Sequence, residues 1–301
     1  MHILLTGGTG LIGRHLCQLW LGQGHRLTVW SRQPEQVPKL CGSQVRGIAR
    51  LEELEADDPL DAVINLAGAP IADRPWTAKR RALLWSSRIT LTERLLAWLE
   101  SRAQRPEVLI SGSAVGWYGD GGERELNETS QPVKEDFASH LCIAWEETAL
   151  RAEALGIRVV LVRTGLVLAS QGGFLKRLTL PFKLGLGGPI GSGRQWMPWV
   201  HIDDQIALID FLLHKIQCRG PYNACAPEPV RNREFARQLG RVLHRPAFLP
   251  LPSLLLKAGL GELSGLLLGG QRARPVALQA AGFTFRYSEL SAALTELSRR
   301  L

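Results

Sequence analysis

Cysteine is scarce in this chain of 301 residues: the five present (Cys17, Cys41, Cys142, Cys218 and Cys225) are odd in number, widely spaced and without a C-x-x-C pair. A disulfide framework and a thiolate metal site are both disfavoured, leaving free thiols in a reducing cytoplasm as the expectation. The start of the chain lacks the cationic segment and apolar run of a secretory leader, because strand-like sequence begins at Ile3. No apolar stretch reads as a membrane span. The leucine-rich Leu251–Gly270 is interrupted by Lys257, Glu262 and several glycines, and reads as a buried helix. A long basic tract is missing too. The net charge of +8 is spread over short clusters such as Lys79-Arg80-Arg81 and Arg272/Arg274, and no nucleic-acid motif accompanies them. A solvated basic surface is the simpler reading, although an anionic substrate or cofactor suits the same balance. Internal repeats and low-complexity linkers are absent. The expected partner is a small-molecule substrate, not nucleic acid or membrane, met by a monomer or homodimer.

What is present begins at once. Hydrophobic residues make up 45% of the chain, enough for one large domain or two modest ones. Residues Met1–Gly13 read MHILLTGGTGLIG: a short apolar run, then Gly7, Gly10 and Gly13 in G-x-x-G-x-x-G spacing, then a helical pattern through Leu16, Leu19, Trp20 and Leu21. In a strand–turn–helix of this kind, Gly7 makes the turn and Gly10 lets backbone N–H groups approach a pyrophosphate. Gly13 lets helix and strand pack closely, and the helix N-terminus favours the phosphate charge.

Apolar strand candidates then alternate with helical stretches. The strands are His2–Leu5, Arg26–Trp30, Ala62–Leu66, Val108–Ser111 and Arg158–Arg163; the helices lie near Leu11–Gly22, Thr77–Arg102 and Phe137–Ala154. This order predicts a doubly wound parallel α/β sheet with right-handed crossovers, its ligand site beyond the C-terminal strand ends. The texture changes after about residue 168. Leu184–Arg194, LGLGGPIGSGR, reads as a flexible loop or lid, and Trp196–Asp204 is dense in aromatic and polar residues. The expected organisation is a nucleotide-binding unit over 1–167 and a smaller, partly helical substrate lobe over 168–301, of which 245–301 forms a C-terminal segment.

The second strand ends Val29-Trp30-Ser31-Arg32. An NAD site commonly carries Asp or Glu here to bind the ribose 2′-hydroxyl; its absence leaves nothing to repel a 2′-phosphate. Arg32 is placed to pair with that phosphate and Ser31 to donate to it, which favours NADP(H). A solvated loop arginine is the alternative.

Gly7–Gly13, Asn65-Leu66-Ala67-Gly68, Arg163-Thr164-Gly165 and Trp199-Val200-His201-Ile202-Asp203-Asp204 together resemble the extended short-chain dehydrogenase/reductase (SDR) superfamily. Within it the chain is similar to the atypical, epimerase-like subgroup that includes the bacterial YfcH-like proteins. Pro181–Gly193, Pro198–His201, Trp145-Glu146 and Arg245–Leu256 support this. The resemblance implies a Rossmann domain binding NADP(H) and similarity to sugar-nucleotide epimerases. It assigns Gly7, Thr9, Gly10, Leu11 and Ile12 to the pyrophosphate, with Gly13 completing the cofactor-binding turn, and Ser31 and Arg32 to the 2′-phosphate. Leu66 and Ala67 fall to the adenine–ribose side, Leu83 and Arg88 to a helix facing the cofactor, and Val167 to the nicotinamide end.

One departure matters. SDR enzymes carry Tyr-x-x-x-Lys on the helix after the fourth strand, where the lysine lowers the tyrosine pKa for proton transfer. If Glu146 is the glutamate that often follows four residues after that lysine, Cys142 holds the lysine position and Ala138 the tyrosine position. Ser113 matches the catalytic serine of the family, and Tyr118 lies in a loop that aims a phenol toward the cleft. These two are the candidates for proton transfer, although Ser113 also suits a turn and Tyr118 suits packing. Cys142 suits a small core position and His201 a hydrogen-bonded structural one. An epimerase-like oxidoreductase acting on a polar, nucleotide-linked substrate is therefore weighed against a catalytically lapsed NADPH sensor.

Overall fold

The computed structural model describes residues 1–55 and 57–300. Seven strands form one parallel sheet: β1 (His2–Thr6), β2 (Arg26–Trp30), β3 (Arg46–Ile48), β4 (Ala62–Asn65), β5 (Val108–Ala114), β6 (Arg158–Thr164) and β7 (Gly220–Ala224). Their spatial order is 3-2-1-4-5-6-7, with every adjacent pair parallel. The sheet is doubly wound, as the sequence implies. The chain leaves β1 in both directions, so a crevice opens at the C-terminal ends of β1 and β4.

The strands are almost continuously apolar because both faces are covered. Ile3, Leu5, Ala62, Ile64, Val108 and Ile110 join one buried cluster with α1 (Leu11–Gly22). Their alternate neighbours Leu4, Val63 and Leu109 join the other, under Leu95, Leu99, Ala149 and Ala152. The period of two in the strands thus sets which helix covers which side.

The expected helix near 77–102 runs helically from Ala78 to Glu100. It consists of α2 (Ala78–Trp85) and α3 (Leu91–Glu100), joined by a π turn at Ser86–Thr90. The helix α4 spans Phe137–Leu150. In the second half of the chain, α5 (Gly173–Lys183), α6 (Ile202–His214), α7 (Asn232–Val242) and α8 (Leu290–Ser298) follow. Residues of α6 pack into the first cluster, and β7 completes the sheet. The division expected at 167 therefore falls inside the central layer rather than between two lobes. A separate cluster of Trp199, Phe235, Leu290 and Leu294 binds α7 and α8 together.

Two expectations fail for stated reasons. The Leu251–Gly270 segment is not a buried helix. It is helical from Ser253 to Leu268 but in three short pieces, Ser253–Leu260, a 3-10 turn at Gly261–Ser264 and Gly265–Leu268, with Gly261 at φ 55° ending the first, and of these residues only Leu256, Leu263 and Ser264 are buried. The Gly185–Gly193 stretch is not free backbone. Leu249 N donates to the Gly187 carbonyl (3.1 Å), Leu251 N to that of Pro189 (2.9 Å), and Gly191 N to that of Leu251 (2.8 Å). A Cβ on Gly188 would stand 1.9 Å from the Leu249 carbonyl oxygen, so that glycine permits close approach, not mobility. No described helix is long and apolar enough to cross a membrane.

Candidate functional site

The glycine turn sits where the sheet's topology places a ligand. Gly7 has φ 70°, and a Cβ there would meet the Leu66 carbonyl oxygen at 2.6 Å; one on Gly13 would meet the Gly7 carbonyl oxygen at 2.4 Å. Both are glycines because backbone occupies the space of a side chain. Gly10 is different. Its missing Cβ would stand 3.1 Å from the Gly7 carbonyl oxygen, and the residue is exposed toward the crevice. It caps α1 without a side-chain hydrogen bond, and no acid lies in the first turn. The leading N–H groups of α1 are left free for an anion, which the helix dipole favours.

Apart from Leu83, the predicted nucleotide residues lie on elements that adjoin this turn. Ser31 and exposed Arg32 extend from β2, whose Val29 side chain lies under Gly8. Leu66 and Ala67 lie against Gly7, and Ala67 N donates to Thr6 Oγ1 at 3.0 Å. Arg88, on the π turn, donates to the Ala69 carbonyl (3.1 Å), and its guanidinium lies against Gly68. Burial pulls its pKa below the ordinary arginine value. Thr9 and Ile12 are partly exposed on the turn. Leu11 lies beside Gly172 and Gly173, and Gly173 packs near the Val167 carbonyl, which brings the short strand Leu166–Leu168 to the same crevice. Leu83 is exposed on α2.

A buried polar net holds the β4 end rigid. Thr6 Oγ1 donates to Asn65 Oδ1 (2.7 Å), and Asn65 Nδ2 donates to Thr92 Oγ1 (2.8 Å) and Ser111 Oγ (3.2 Å). Trp145 Nε1 also reaches Thr92 Oγ1, at 3.2 Å. Sequence reading singled out Asn65 and Trp145 only as parts of motifs and missed Thr92, on which both converge from different elements.

The expected catalytic end is a second closed net. Ser113 Oγ donates to Glu146 Oε1 at 2.6 Å. Arg163 grips Glu146 through Nε and Nη2, each at 2.8 Å, and both side chains are buried. Burial opposes the arginine charge, but the carboxylate more than offsets this and raises its pKa. The Tyr118 hydroxyl accepts from Arg163 Nη1 (3.1 Å) and lies 2.9 Å from both the Asn127 carbonyl and Asn223 Oδ1. Its ring is wholly buried, and burial pushes the phenol up to about 12. The phenol thus points into the protein and not into the cleft, because these partners draw it inward. Ala138 and Cys142 are buried as well, and burial raises the Cys142 thiol to about 12. Neither the lysine nor the tyrosine of the usual pair has a substitute at its own position.

His201, from the Trp199–Asp204 motif, is fully buried. Its Nδ1 accepts from Asp203 N (3.1 Å), so Nε2 carries the proton donated to Glu296 on α8 (3.0 Å). Asp204 accepts from the backbone N–H groups of Arg286 and Tyr287 at 2.8 and 2.9 Å. This motif locks the C-terminal segment in place.

The chain matches the family model described as the NAD dependent epimerase/dehydratase family over residues 3–225, and a domain of unknown function, DUF1731, over 251–297. It is 39% identical over 298 residues to the epimerase family protein YfhF of Bacillus subtilis, covering 99% of this chain and 98% of that one. The crystal structure of the human epimerase family protein SDR39U1 (isoform 2) with NADPH superposes with a TM-score of 0.90 at 36% identity, covering 100% of both chains. The UDP-glucuronic acid 4-epimerase of Bacillus cereus, in complex with UDP-glucuronic acid and NAD, shares the fold at a TM-score of 0.77 and 18% identity, covering 100% of this chain and 99% of that one. Glycine turn, sheet order and full-length similarity agree: the chain belongs to the NAD-dependent epimerase/dehydratase family of extended SDR proteins.

Proposed function

We propose that the protein binds NADP(H) at the glycine turn and acts as an epimerase-like oxidoreductase on a polar, nucleotide-linked substrate. The observation that carries the reading is the uncapped N-terminus of α1 above a turn in which Gly7 and Gly13 leave no room for side chains. In this reading Gly7, Thr9, Gly10, Leu11 and Ile12 hold the pyrophosphate, with Gly13 completing the cofactor-binding turn. Ser31 and Arg32 hold the 2′-phosphate, Leu66, Ala67, Leu83 and Arg88 line the adenosine side, and Val167 meets the nicotinamide. That ring supplies the hydride chemistry when bound. The protein's own part is positioning and proton handling. Ser113, hydrogen-bonded to the Glu146 carboxylate, is the hydroxyl nearest the end of β5 with a buried acceptor for its proton. Tyr118, the other candidate for proton transfer, reaches a substrate only if its three polar partners release it.

Calorimetry tests the cofactor choice. NADPH binds more tightly than NADH, and Arg32→Ala weakens NADPH by about 1–3 kcal/mol, the range for charged hydrogen bonds, while NADH barely changes. Equal wild-type affinities for the two cofactors would refute it.

The inward-facing Tyr118 favours a second reading, a protein that binds NADPH without turnover and serves as a sensor or interaction module. Incubation with sugar nucleotides and simple alcohols separates the two: substrate-dependent change in nicotinamide absorbance supports the enzyme, and tight NADPH binding with no turnover across the panel supports the sensor.

A further inference from the structure

The chain exposes an apolar face on two neighbouring segments, the first of which, α5, starts at the crevice. On α5 and the stretch after it, Leu180, Leu184 and Leu186 are 65%, 65% and 61% exposed; opposite them Phe248, Leu254 and Leu255 are 71%, 75% and 63% exposed. The two segments lie side by side. Leu249 and Leu251 are hydrogen-bonded to Gly187, Pro189 and Gly191, and Arg245 Nε donates to the Lys183 carbonyl at 2.9 Å. Pro246, Pro250 and Pro252 stiffen the second segment and leave its side chains projecting outward. Single exposed leucines mean nothing, but a contiguous apolar face on a folded chain marks a binding surface.

Charge says what binds there. Residues 173–191 and 241–260 contain Lys176, Arg177, Lys183, Arg241, Arg245 and Lys257 and not one Asp or Glu. The side chains of all six lie on exposed residues. A second copy of this chain is a poor occupant, because a two-fold contact sets this cationic rim against itself. Protein interfaces draw their strongest contacts from Trp, Tyr and Arg, with leucine under-represented. Projecting Leu and Phe inside a rim of Lys and Arg is instead the composition of elements that lie in the lipid interface.

We infer that this face docks the protein on an anionic lipid surface, with Phe248, Leu254 and Leu255 entering the headgroup boundary and the cations meeting lipid phosphates. A surface contact of this kind needs only an exposed apolar face and no spanning helix, and none is found among the described residues. The inference is independent of the cofactor reading.

Vesicle sedimentation with the full chain tests it, using equimolar phosphatidylcholine and phosphatidylglycerol against pure phosphatidylcholine. The protein binds the mixed vesicles, binds pure phosphatidylcholine at least about tenfold more weakly, and is released by salt. Phe248→Asp with Leu254→Asp lowers binding more than about tenfold. Lys176→Glu with Lys257→Glu loses about fivefold or more per cation removed. Both pairs are exposed, so far-UV circular dichroism and the urea midpoint stay at wild-type values. Three results overturn the inference: no preference for phosphatidylglycerol, vesicle binding unchanged in the Phe248/Leu254 variant, or a wild-type dimer that leaves vesicles untouched and dissociates in that variant.

Discussion

Tyr118 shows how a side chain's partners decide its role. Its hydroxyl meets Arg163, Asn127 and Asn223, and the Asn223 amide is oriented by donating from Nδ2 to the Arg274 carbonyl at 3.0 Å. Removing the hydroxyl leaves buried polar groups unpaired, so Tyr118→Phe lowers stability by about 1–3 kcal/mol in urea unfolding. Its pH dependence has a definite sign. Burial holds the phenol at about 12 in the folded state, against an ordinary value of about 10. Between those values the unfolded chain loses its proton while the folded one keeps it. Stability is therefore complete below about pH 10 and falls as pH rises toward 12. In Tyr118→Phe this phenol's share of the alkaline loss disappears, which urea midpoints measured at pH 9 and pH 11 would reveal. An identical alkaline loss in both proteins would show that the phenol is not held as described. Ser113 is the complementary case. Ser113→Ala removes a donor to Glu146 but leaves the bidentate Arg163 contact whole, so it costs less stability than Glu146→Ala. That second change strands a buried guanidinium, at a cost of about 3–5 kcal/mol.

Among the elements, the glycine turn and the glycine-rich stretch at 185–193 use the same residue for different ends. A Cβ at Gly10 meets only the Gly7 carbonyl oxygen, at 3.1 Å, on the crevice side. Gly10→Val should therefore fold, as judged by circular dichroism, yet abolish NADPH binding because the branched side chain stands where a pyrophosphate must approach. Retained affinity in a folded variant would place the ligand elsewhere. Amides at Gly191, Leu249 and Leu251 are paired, so hydrogen exchange there should be slow without any ligand; fast exchange would restore the lid reading. The contrast explains what the sequence disclosed. Short, almost continuously apolar runs and a glycine turn opening an amphipathic helix announce themselves locally, and β1, α1, β2, β4, β5 and β6 lie close to where their patterns predict. Three-residue β3, and β7 with its Gly-Pro-Tyr-Asn-Ala sequence, carry no strand signal of their own and exist because neighbouring strands recruit them. Glycine density reads alike for a hinge and for a close approach; only the facing backbone tells them apart. The catalytic end was least legible, since whether a phenol faces a cleft or an asparagine depends on contacts between residues as far apart as Tyr118 and Asn223.

The molecule as a whole is knitted across the point where its sequence changes texture. The sheet takes β7 from beyond residue 168, and α6 contributes Ile206, Leu208 and Ile209 to the first buried cluster. From the start of α6, Asp204 receives the backbone N–H groups of Arg286 and Tyr287, and just before it His201 donates to Glu296. Far from there, Glu128 accepts from Asn223 N (2.9 Å) and Ala277 N (3.1 Å), so the C-terminal segment is fastened at both ends. A unit fastened this way should unfold in one step. Tryptophan fluorescence and far-UV circular dichroism should give coincident urea transitions, where two independent lobes would give separate ones. Asp204→Ala sharpens the test, because it leaves the buried Tyr287 N–H and the half-buried Arg286 N–H without acceptors and should cost about 1–3 kcal/mol for the first and less for the second. If the fastening transmits that loss through the sheet, the single transition moves to lower urea with its steepness kept. If residues 286–298 merely rest on the surface, their amides exchange quickly in Asp204→Ala while β1 and β4 stay protected, and the transition splits in two. Coincident transitions in both proteins would establish that the nucleotide crevice and the C-terminal segment share one folding equilibrium. A ligand bound at the glycine turn would then slow exchange in α8, on a separate part of the molecule, by the same linkage.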